Sequence, residues 1–463
     1  MKLSAPKLAV LSLVLIYSLA GFGTLASPSG QGVTMAPSAE RLPPEDPWIS
    51  KSIEVAVNQY DKSNPALAYN SKQHDYLVVW EQYIKVGESA IYARRVSGDG
   101  KPKDSAFPIM HVTGKEFKHP DVVYQPGQDM FWIYYTYMED STTHNLMLSW
   151  LPGKGDAASN FVFSHDWPRN WYPALTYNKR AGELLVVYEK YLESFSRTIE
   201  ADVLKPSPLE RLAEIDIAGV FPEMRRFPDV VYNQVLDHYL AAYTRQVPYD
   251  AKSQAIGKLI SGDRDWFSKE YTLKENQTAD QDDLSLTAGK DEFLAVWHEI
   301  NEGAATSGIW GRRITRDGPA GVPIDISYDL NEKRYEPDTA YNSLGYYLVV
   351  WRNHIKYNTQ TYQRIYGGLI QAGQDTLARS EFRIESGGSI LTSESEYRGY
   401  GPSKHLLSPQ DDPVNQKRPA VACSQSTACL VVFEVNDPGP FYNIHGYLVG
   451  LHQRSYLPVV INK

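Results

Sequence analysis

The sequence predicts an all-β protein, and within that class a seven-bladed β-propeller of four-stranded blades. Three observations lead to this prediction. A segment of about 55 residues recurs along the chain, a period typical of propeller blades. Each copy contains four short strand patterns, but the last copy ends after its third strand, and an extra strand precedes the first copy. That extra strand can complete the last blade and close the ring.

Each copy of the repeat opens on a position that is proline in all copies but one. A tight hairpin follows, and its second strand is an apolar run that ends on an aromatic residue. Only the last interval breaks the period, because an insertion at residues 385–418 precedes the final copy. The openings lie at Pro65, Pro120, Pro173, Pro228, Asp283, Pro337 and Pro419.

The first copy shows the elements in order. Ile53 to Val57 is the extra N-terminal strand, and the first strand begins near Pro65. Leu77 to Val79 is a continuous apolar run, which predicts a second strand buried on both faces. Ile91 to Val96 forms the third strand, and Phe107 to Ile109 forms the fourth. Blades packed face to face around an axis would bury such strands.

The blade patterns also resemble a known group of proteins. Pro-Ala/Asp-x-x-Tyr-Asn, Tyr-Leu-Val-Val-Trp and Ile-Tyr-Gly-Arg-Arg-Val are similar to the blades of secreted bacterial seven-bladed β-propeller proteins of unknown function. The resemblance spans residues 53 to 450. It implies the propeller fold and a bacterial, exported protein. It implies no activity, and no catalytic residue follows from it.

The chain ends predict export. Residues 1–26 have a basic start and an apolar stretch followed by small residues, as in a signal peptide. Residues 27–50 are rich in Pro, Ser and Gly and predict a disordered linker. The propeller then spans residues 51–453. The tail at residues 454–463 resembles a sorting or surface-retention tag, with a terminal strand as the alternative.

The two cysteines of the chain fit an oxidising compartment. Cys423 and Cys429 occupy facing positions in the hairpin of the last copy, so we expect a disulfide. Two free buried thiols are the alternative. Because no segment after residue 26 is apolar enough to span a membrane, we expect a secreted, extracellular or cell-surface protein.

The charge pattern restricts the partners. The net charge is −9, and no basic cluster exceeds a few residues, which excludes nucleic acid as an expected partner. We expect a monomer that binds a glycan or an extracellular protein. The variable loops, including the insertion, should lie on one face of the propeller, the long-loop face, where function is expected.

Aromatic residues are dense on the long-loop face. Exposed rings on a rigid platform stack on sugars and are enriched at protein interfaces. The alternative is that most of them pack between blades. The predicted ligand-binding residues are Tyr83, Tyr137, Trp167, Arg169, Trp171, Tyr172 and Tyr335.

Two sets of titratable residues are candidates for catalysis. Carboxylates projecting from several blades toward one opening would suit glycoside hydrolysis, and the candidates are His298, Glu299, Glu81 and Glu189. The alternative is that a glutamate at a fixed repeat position is a structural hydrogen-bonding group. Histidines on the long-loop face, with Tyr and Arg, would instead suit proton abstraction from a uronic acid, and they include His111, His119, His144, His298 and His354.

Three aspartates follow the opening proline in alternate copies. Asp121, Asp229 and Asp338 should lie near the axis, where together they could bind Ca²⁺. The alternative is that each accepts hydrogen bonds from nearby amide groups. No standard calcium loop or zinc spacing occurs, so the sequence implies no cofactor.

With no recognisable catalytic motif, the sequence favours an exported, non-enzymatic binding or scaffold propeller. The alternative is a polysaccharide-active enzyme, a glycoside hydrolase or a lyase, with its site at the axial opening.

Overall fold

The structure is a computed structural model of the chain. It describes residues 47–450, with gaps at 141, 157, 164–168, 192–196, 220–222, 247–251, 276–278, 302–305, 330–331, 358–359, 385–414, 425–427 and 437–440. The predicted signal peptide, the predicted tail, Trp167 and most of the 385–418 insertion therefore lie outside the described residues.

The described residues form 29 strands. The described residues form no helix, and therefore no helix long and apolar enough to cross a membrane. The strands are β1 (Trp48–Ile49), β2 (Ile53–Ala56), β3 (Lys62–Asn70), β4 (Asp75–Lys85), β5 (Glu88–Ser97), β6 (Pro102–Met110), β7 (Glu116–Gln125), β8 (Met130–Met138), β9 (His144–Pro152), β10 (Ser159–Phe163), β11 (Asn170–Asn178), β12 (Glu183–Tyr191), β13 (Arg197–Pro206), β14 (Leu209–Ala218), β15 (Met224–Asn233), β16 (His238–Gln246), β17 (Ser253–Ser261), β18 (Tyr271–Thr272), β19 (Asp280–Ala288), β20 (Phe293–Asn301), β21 (Thr306–Thr315), β22 (Gly318–Asp329), β23 (Lys333–Tyr341), β24 (Tyr346–Tyr357), β25 (Gln360–Gln371), β26 (Leu377–Arg383), β27 (Asn415–Cys423), β28 (Ala428–Asn436) and β29 (Tyr442–Gly450).

Antiparallel pairing groups these strands into four-stranded units in chain order. Units 1 to 6 are β3–β6, β7–β10, β11–β14, β15–β18, β19–β22 and β23–β26, and unit 7 contains β27–β29. One parallel pairing, Arg197 with Met224, joins the sheets of units 3 and 4. The first strand of each unit packs beside the first strand of the next, and β27 packs beside β3. The ring is therefore closed, and the predicted all-β propeller class is confirmed.

The N-terminal segment completes unit 7. In β2, Ile53 pairs with Gly446, as the sequence predicted. β1 also pairs with β29, Trp48 lying opposite Gly450. A Cβ at position 450 would collide with the indole of Trp48, so glycine is required there. β1 thus lies inside residues 27–50, where the sequence suggested a disordered linker.

The second strands are buried because each is packed between two neighbouring units. Val79 packs with side chains of unit 2, whereas Val78 on the opposite side of β4 packs with side chains of unit 7. Both are fully buried. Burial on both faces explains why β4 is a continuous apolar run rather than an alternating one.

The predicted disulfide is present in unit 7. Cys423 and Cys429 face each other across β27 and β28, with their Cα atoms 3.9 Å apart. The bond closes a short loop, for which loop entropy predicts a stabilisation of about 2 kcal/mol. We expect the Cys423→Ala/Cys429→Ala variant to lose that much free energy of unfolding in denaturant titrations. Adding reductant should destabilise the wild-type protein to a similar extent and leave the double variant unchanged.

Candidate functional site

Every inner strand contains a bulge at the same place. The pairing of the first strand with the second shifts register just after the strand begins, for example between Ser63 and Ala66 and between Lys118 and Asp121. The first residue inside each bulge has a positive φ, between 47° and 53°. We call these residues the bulge ring; they are Asn64, His119, Tyr172, Phe227, Asp283, Glu336 and Arg418.

The bulge also corrects the position of the fifth repeat. Asp283 occupies the place that Asn64 and His119 occupy in other units, immediately before the repeat proline. Leu284, and not Asp283, therefore corresponds to that proline. The sequence alignment was displaced by one residue because unit 5 has no proline to mark the bulge.

The bulge ring lies where the inner strands begin, which is the long-loop face. All of its members are partly exposed, so they reach solvent at the axial opening. A left-handed backbone conformation costs an ordinary L-residue about 1–2 kcal/mol. Such strain often accompanies a functional site. Here the strained backbone occurs in every unit, so it does not by itself mark one unit as functional. The units differ in which residue type occupies the bulge ring.

Carboxylates of one unit accept hydrogen bonds from bulge amides of the next. The amide of Asn64 donates to Glu434 Oε1 (2.9 Å), and the amide of Phe227 donates to Glu189 Oε2 (3.4 Å). Glu81 accepts in the same way from the amide of His119. Glu81 and Glu189, two catalytic candidates from the sequence, therefore hold adjacent units together. This is the structural alternative that the sequence left open.

In units 6 and 7 the bulge-ring residue and a residue of the second strand form an ion pair, and the acidic and basic residues are swapped between the two units. Unit 6 places Glu336 in the bulge ring and Arg352 on the second strand, 3.1 Å apart. Unit 7 reverses them, with Arg418 in the bulge ring and Glu434 on the second strand, 3.0 Å apart. Glu336 also accepts the amide of Arg418 at 2.8 Å. Each of these two units thus retains one carboxylate for the bulge amide of the next unit.

The neighbouring residues His298 and Glu299 face opposite sides of β20. His298 Nδ1 lies 3.4 Å from Asp283 Oδ2, and its ring packs on Tyr335 with centroids 4.8 Å apart. Glu299 instead forms an ion pair with Lys274 at 2.8 Å. The structure therefore brings His298 to the bulge ring and places Glu299 away from it.

His119 and Tyr172 form the most distinctive contact at the opening. Their ring centroids are 4.4 Å apart, and Tyr172 also packs edge-on against Phe227 at 4.9 Å. Trp171 completes this cluster, with its ring centroid 5.8 Å from that of His119. The imidazole of His119 receives no hydrogen bond from any residue that the structure describes. Its nitrogens are therefore available to a ligand.

The surroundings set the protonation of this pair. Burial, aided by the positive charges of Lys118 and Arg418, lowers the pKa of His119 to about 3. Burial beside Glu189 raises the pKa of the Tyr172 phenol. Near neutral pH the imidazole is therefore uncharged and the phenol protonated, so one group can accept a proton while the other can donate one.

The predicted ligand-binding residues separate into two groups. Trp171, Tyr172 and Tyr335 lie at the opening, and Tyr335 packs between His298 and His354. The remaining described ones, Tyr83, Tyr137 and Arg169, lie elsewhere.

Those three residues belong to strands or their edges rather than to a ligand platform. Tyr137 stacks on Phe117 with centroids 5.2 Å apart, and Arg169 donates from Nε to the carbonyl of Thr142 at 3.1 Å. Tyr83 is exposed on β4, which continues to a short turn where the sequence suggested a long loop. Extended cross-strand pairing with β5 explains that difference.

The aspartates near the axis link adjacent inner strands. Asp121 Oδ2 accepts the amide of Leu175 at 2.9 Å, and Asp229 Oδ2 accepts the amide of Leu286 at 2.7 Å. Asp338 Oδ2 accepts the amide of Val421 at 2.7 Å. Within the described ranges, no three His, Cys, Asp or Glu side chains come close enough to hold a metal ion. The proposed Ca²⁺ site thus receives no geometric support, whereas amide capping is observed.

These aspartates should make stability depend on pH. Burial raises the pKa of Asp121 to about 6 and, with the charge of Asp121 adding to it, that of Asp229 to about 8. Between about pH 4 and 8 the folded state therefore binds more protons than the unfolded state, so stability falls as pH rises. We expect a lower melting temperature at pH 8 than at pH 5.

The Asp121→Asn variant tests the origin of that decline. Because the variant cannot titrate at this position, we expect its loss of stability from pH 5 to pH 8 to be smaller by about 1.4 kcal/mol. The exposed Asp317→Asn variant is the control and should follow the wild type. An unchanged slope for Asp121→Asn would contradict the assignment.

Comparisons with known proteins identify the fold and no family. No protein-family model matches the chain, and no curated protein matches its sequence. Among solved structures, polysaccharide lyase Uly1 matches with a TM-score of 0.53 and 8% identity, covering 87% of this chain and 99% of that chain. The chain shares its fold with a polysaccharide lyase.

Two further matches have lower TM-scores. Penicillium chrysogenum α-L-arabinanase matches with a TM-score of 0.47 and 9% identity, covering 87% of this chain and 99% of that one. Fusarium graminearum α-L-arabinofuranosidase Arb93A matches with a TM-score of 0.48 and 11% identity, covering 87% and 98%. The match to Uly1 and the ring of sheets support the resemblance noted in the sequence at the level of the propeller fold.

The match to Uly1 corrects the prediction of a non-enzymatic binding or scaffold protein. The protein with which this chain shares its fold is a polysaccharide lyase, so the fold favours the alternative of a polysaccharide-active enzyme. The sequence contains no local catalytic motif, and the prediction of a non-enzymatic protein rested on that absence. In a propeller that absence decides little, because the groups at the opening come from different repeats and meet only when the ring closes.

Proposed function

We propose that the protein is an exported polysaccharide-cleaving enzyme whose site is the axial opening inside the bulge ring. The observation that carries the proposal is the contact between His119 and Tyr172, 4.4 Å between ring centroids, beside the positive charges of Lys118 and Arg418. This set of groups suits a lyase that acts on a uronic-acid polysaccharide.

Each residue of the set has a role in β-elimination. The neutral imidazole of His119 accepts the proton on the carbon next to the uronate carboxylate. The positive charges of Lys118 and Arg418, which also form ion pairs with Glu116 and Glu434, attract that carboxylate and make the proton more acidic. The electrons of the broken C–H bond form a C=C bond, and the glycosidic C–O bond breaks. Tyr172 donates its phenolic proton to the leaving oxygen.

Two further observations support the proposal. Uly1, with which the chain shares its fold, is a polysaccharide lyase. The predicted signal peptide and the disulfide Cys423–Cys429 fit a protein that works outside the cell, where polysaccharides are found.

Glycoside hydrolysis is the second candidate, and one observation favours it. Asp283 and Glu336 are neighbours in the bulge ring, and their pKa values move in opposite directions. Burial raises the pKa of Glu336. Burial alone would also raise that of Asp283, but the hydrogen bond and charge of His298 lower it. Two neighbouring carboxyl groups whose pKa values are shifted in opposite directions suit a general acid and a general base.

Product analysis distinguishes the two reactions. The purified protein is incubated separately with uronic-acid polysaccharides, such as pectate, alginate and hyaluronate, and with neutral arabinan and xylan. A lyase releases reducing ends together with the ultraviolet absorbance of an unsaturated sugar, and only from uronic-acid chains. A hydrolase releases reducing ends without that absorbance. Absence of both products from the whole panel would contradict the proposal.

A further inference from the structure

A polar cavity of about 420 Å³ lies between units 1 and 2, at the ends of the strands opposite the bulge ring. Its volume is within the range of small-ligand sites, about 300–1,000 Å³. Asp75 at the start of β4 and Arg95 on β5 contribute charged groups, and both side chains are more than nine-tenths buried. Phe107 on β6 and the turn from Gly153 to Asp156 complete the walls.

The two buried charged groups face each other without forming a hydrogen bond. Arg95 Nη1 and Asp75 Oδ1 are 4.0 Å apart, and neither atom has a hydrogen-bond partner among the described residues. The rest of each group is fixed: Arg95 Nη2 donates to the carbonyl of Gly155 at 2.8 Å, and Asp75 Oδ2 accepts from Lys103 at 2.9 Å. A buried polar atom without a hydrogen-bond partner lowers the stability of the folded protein. A group that accepts from Arg95 and donates to Asp75 would therefore bind favourably here.

Unit 5 shows the same arrangement with the gap closed. Glu292 and Arg313 occupy the positions of Asp75 and Arg95, and Arg313 Nε donates to Glu292 Oε2 at 2.8 Å. Arg313 also donates to the carbonyl of Gly373, as Arg95 does to Gly155. Glutamate is one methylene longer than aspartate and reaches its arginine. The shorter Asp75 in unit 1 leaves room for another molecule.

The lining of the cavity specifies the chemistry of that molecule. Arg95, Lys103 and Lys154 are balanced by Asp75, Asp104 and Asp156, so the cavity has no net formal charge. A neutral ligand is therefore favoured over an anion such as a uronate or a phosphate. A hydroxyl group can accept a hydrogen bond from Arg95 and donate one to Asp75, and Phe107 offers a ring for an apolar sugar face.

We propose that this cavity is a second carbohydrate site, which binds one neutral sugar residue of a glycan by a hydroxyl bridging Arg95 and Asp75. It lies away from the bulge ring, and its occupation does not depend on which bond is cut there. A site of this kind holds a polysaccharide on the protein surface while cleavage takes place at the axial opening.

The Asp75→Glu variant tests the proposal, because it should close the gap as Glu292 does in unit 5. Binding of neutral methyl glycosides of glucose, galactose, mannose, xylose and arabinose is measured by calorimetry and by saturation-transfer NMR. We expect at least one glycoside to bind the wild type and its affinity to fall at least tenfold in Asp75→Glu. The exposed Asp317→Glu variant, which makes the same change of side chain outside the cavity, is the control and should leave binding unchanged.

A second variant keeps the proposal testable if Asp75→Glu fails to fold. Phe107→Leu keeps the strand apolar but removes the ring, and it should also weaken binding of the same glycoside. Crystals soaked with that glycoside should show it between Arg95 and Asp75. The proposal is overturned if no glycoside binds the wild type, if Asp75→Glu binds as tightly, or if soaked crystals contain only water in the cavity. Cleavage of a short soluble substrate at the bulge ring should be unaffected by Asp75→Glu, which separates this test from that of the proposed function.

Discussion

Replacing His119 with asparagine is expected to lower kcat/KM on the uronic-acid substrate by about a hundredfold to ten-thousandfold, the contribution of a general base. His119 is the uncharged imidazole of the opening, and its nitrogens make no hydrogen bond to the described part of the chain. Asparagine is the most suitable replacement because it tolerates the left-handed backbone found at this position, φ 53°. The loss should therefore reflect the missing base rather than a damaged fold. Initial rates are followed by the absorbance of the unsaturated product.

His74→Asn is the matched control for this experiment. His74 also has a left-handed backbone, with φ 53°, but it is exposed in the hairpin between β3 and β4, far along the strands from the bulge ring. We expect its kcat/KM to equal that of the wild type. If His119→Asn retains full activity while His298→Asn or Asp283→Asn loses it, the site lies on the other side of the opening and the hydrolase assignment is preferred.

The sequence predicted the fold well because the fold is written into a repeated local pattern. Buried second strands such as Leu77 to Val79 and the N-terminal strand that completes unit 7 follow from apolar runs and from the count of strands. The disulfide follows from the facing positions of Cys423 and Cys429 in a hairpin. Each of these inferences uses only residues that are near one another within a repeat, or residues at equivalent positions of two repeats.

The site was harder to predict because its residues meet only through ring closure. The repeat to which His119 belongs precedes that of Tyr172, and the Arg418 charge that acts on His119 comes from the last unit of the chain. The positive φ of the bulge residue leaves no direct mark in the sequence. The available signal was the residue just before each repeat proline, which changes type in every copy although the position after it is proline in all copies but one.

A second signal concerned the carboxylates. Glu81 and Glu189 are at a fixed repeat position, and the structure shows them accepting bulge amides from the next unit. Units 6 and 7 keep an ion pair at the same two positions, but Glu336 and Arg352 have their charges in the opposite order to Arg418 and Glu434. A charge that moves between two positions of a repeat while its pair is retained indicates a structural ion pair. That reasoning leaves His119 and Tyr172, which the scaffold does not require, as the groups free to act on a ligand.

Tyr172→Phe isolates the other half of the proposed acid–base pair. The change keeps the ring that packs on His119 and Phe227 and removes only the phenolic oxygen. Because burial beside Glu189 raises the pKa of this phenol, it is protonated at neutral pH and can serve as the acid for the leaving oxygen. We expect kcat to fall about a hundredfold or more, with KM changed little, since the carboxylate-binding charges remain.

Leaving-group chemistry provides the decisive control for Tyr172. A uronate that carries a nitrophenoxy group on C4, the carbon from which the leaving oxygen departs, needs little protonation as that group leaves. The Tyr172→Phe variant should therefore recover much of its activity on that substrate, whereas His119→Asn should not, because proton abstraction is still required. Equal losses of Tyr172→Phe on both substrates would show that the hydroxyl positions the sugar instead of protonating it.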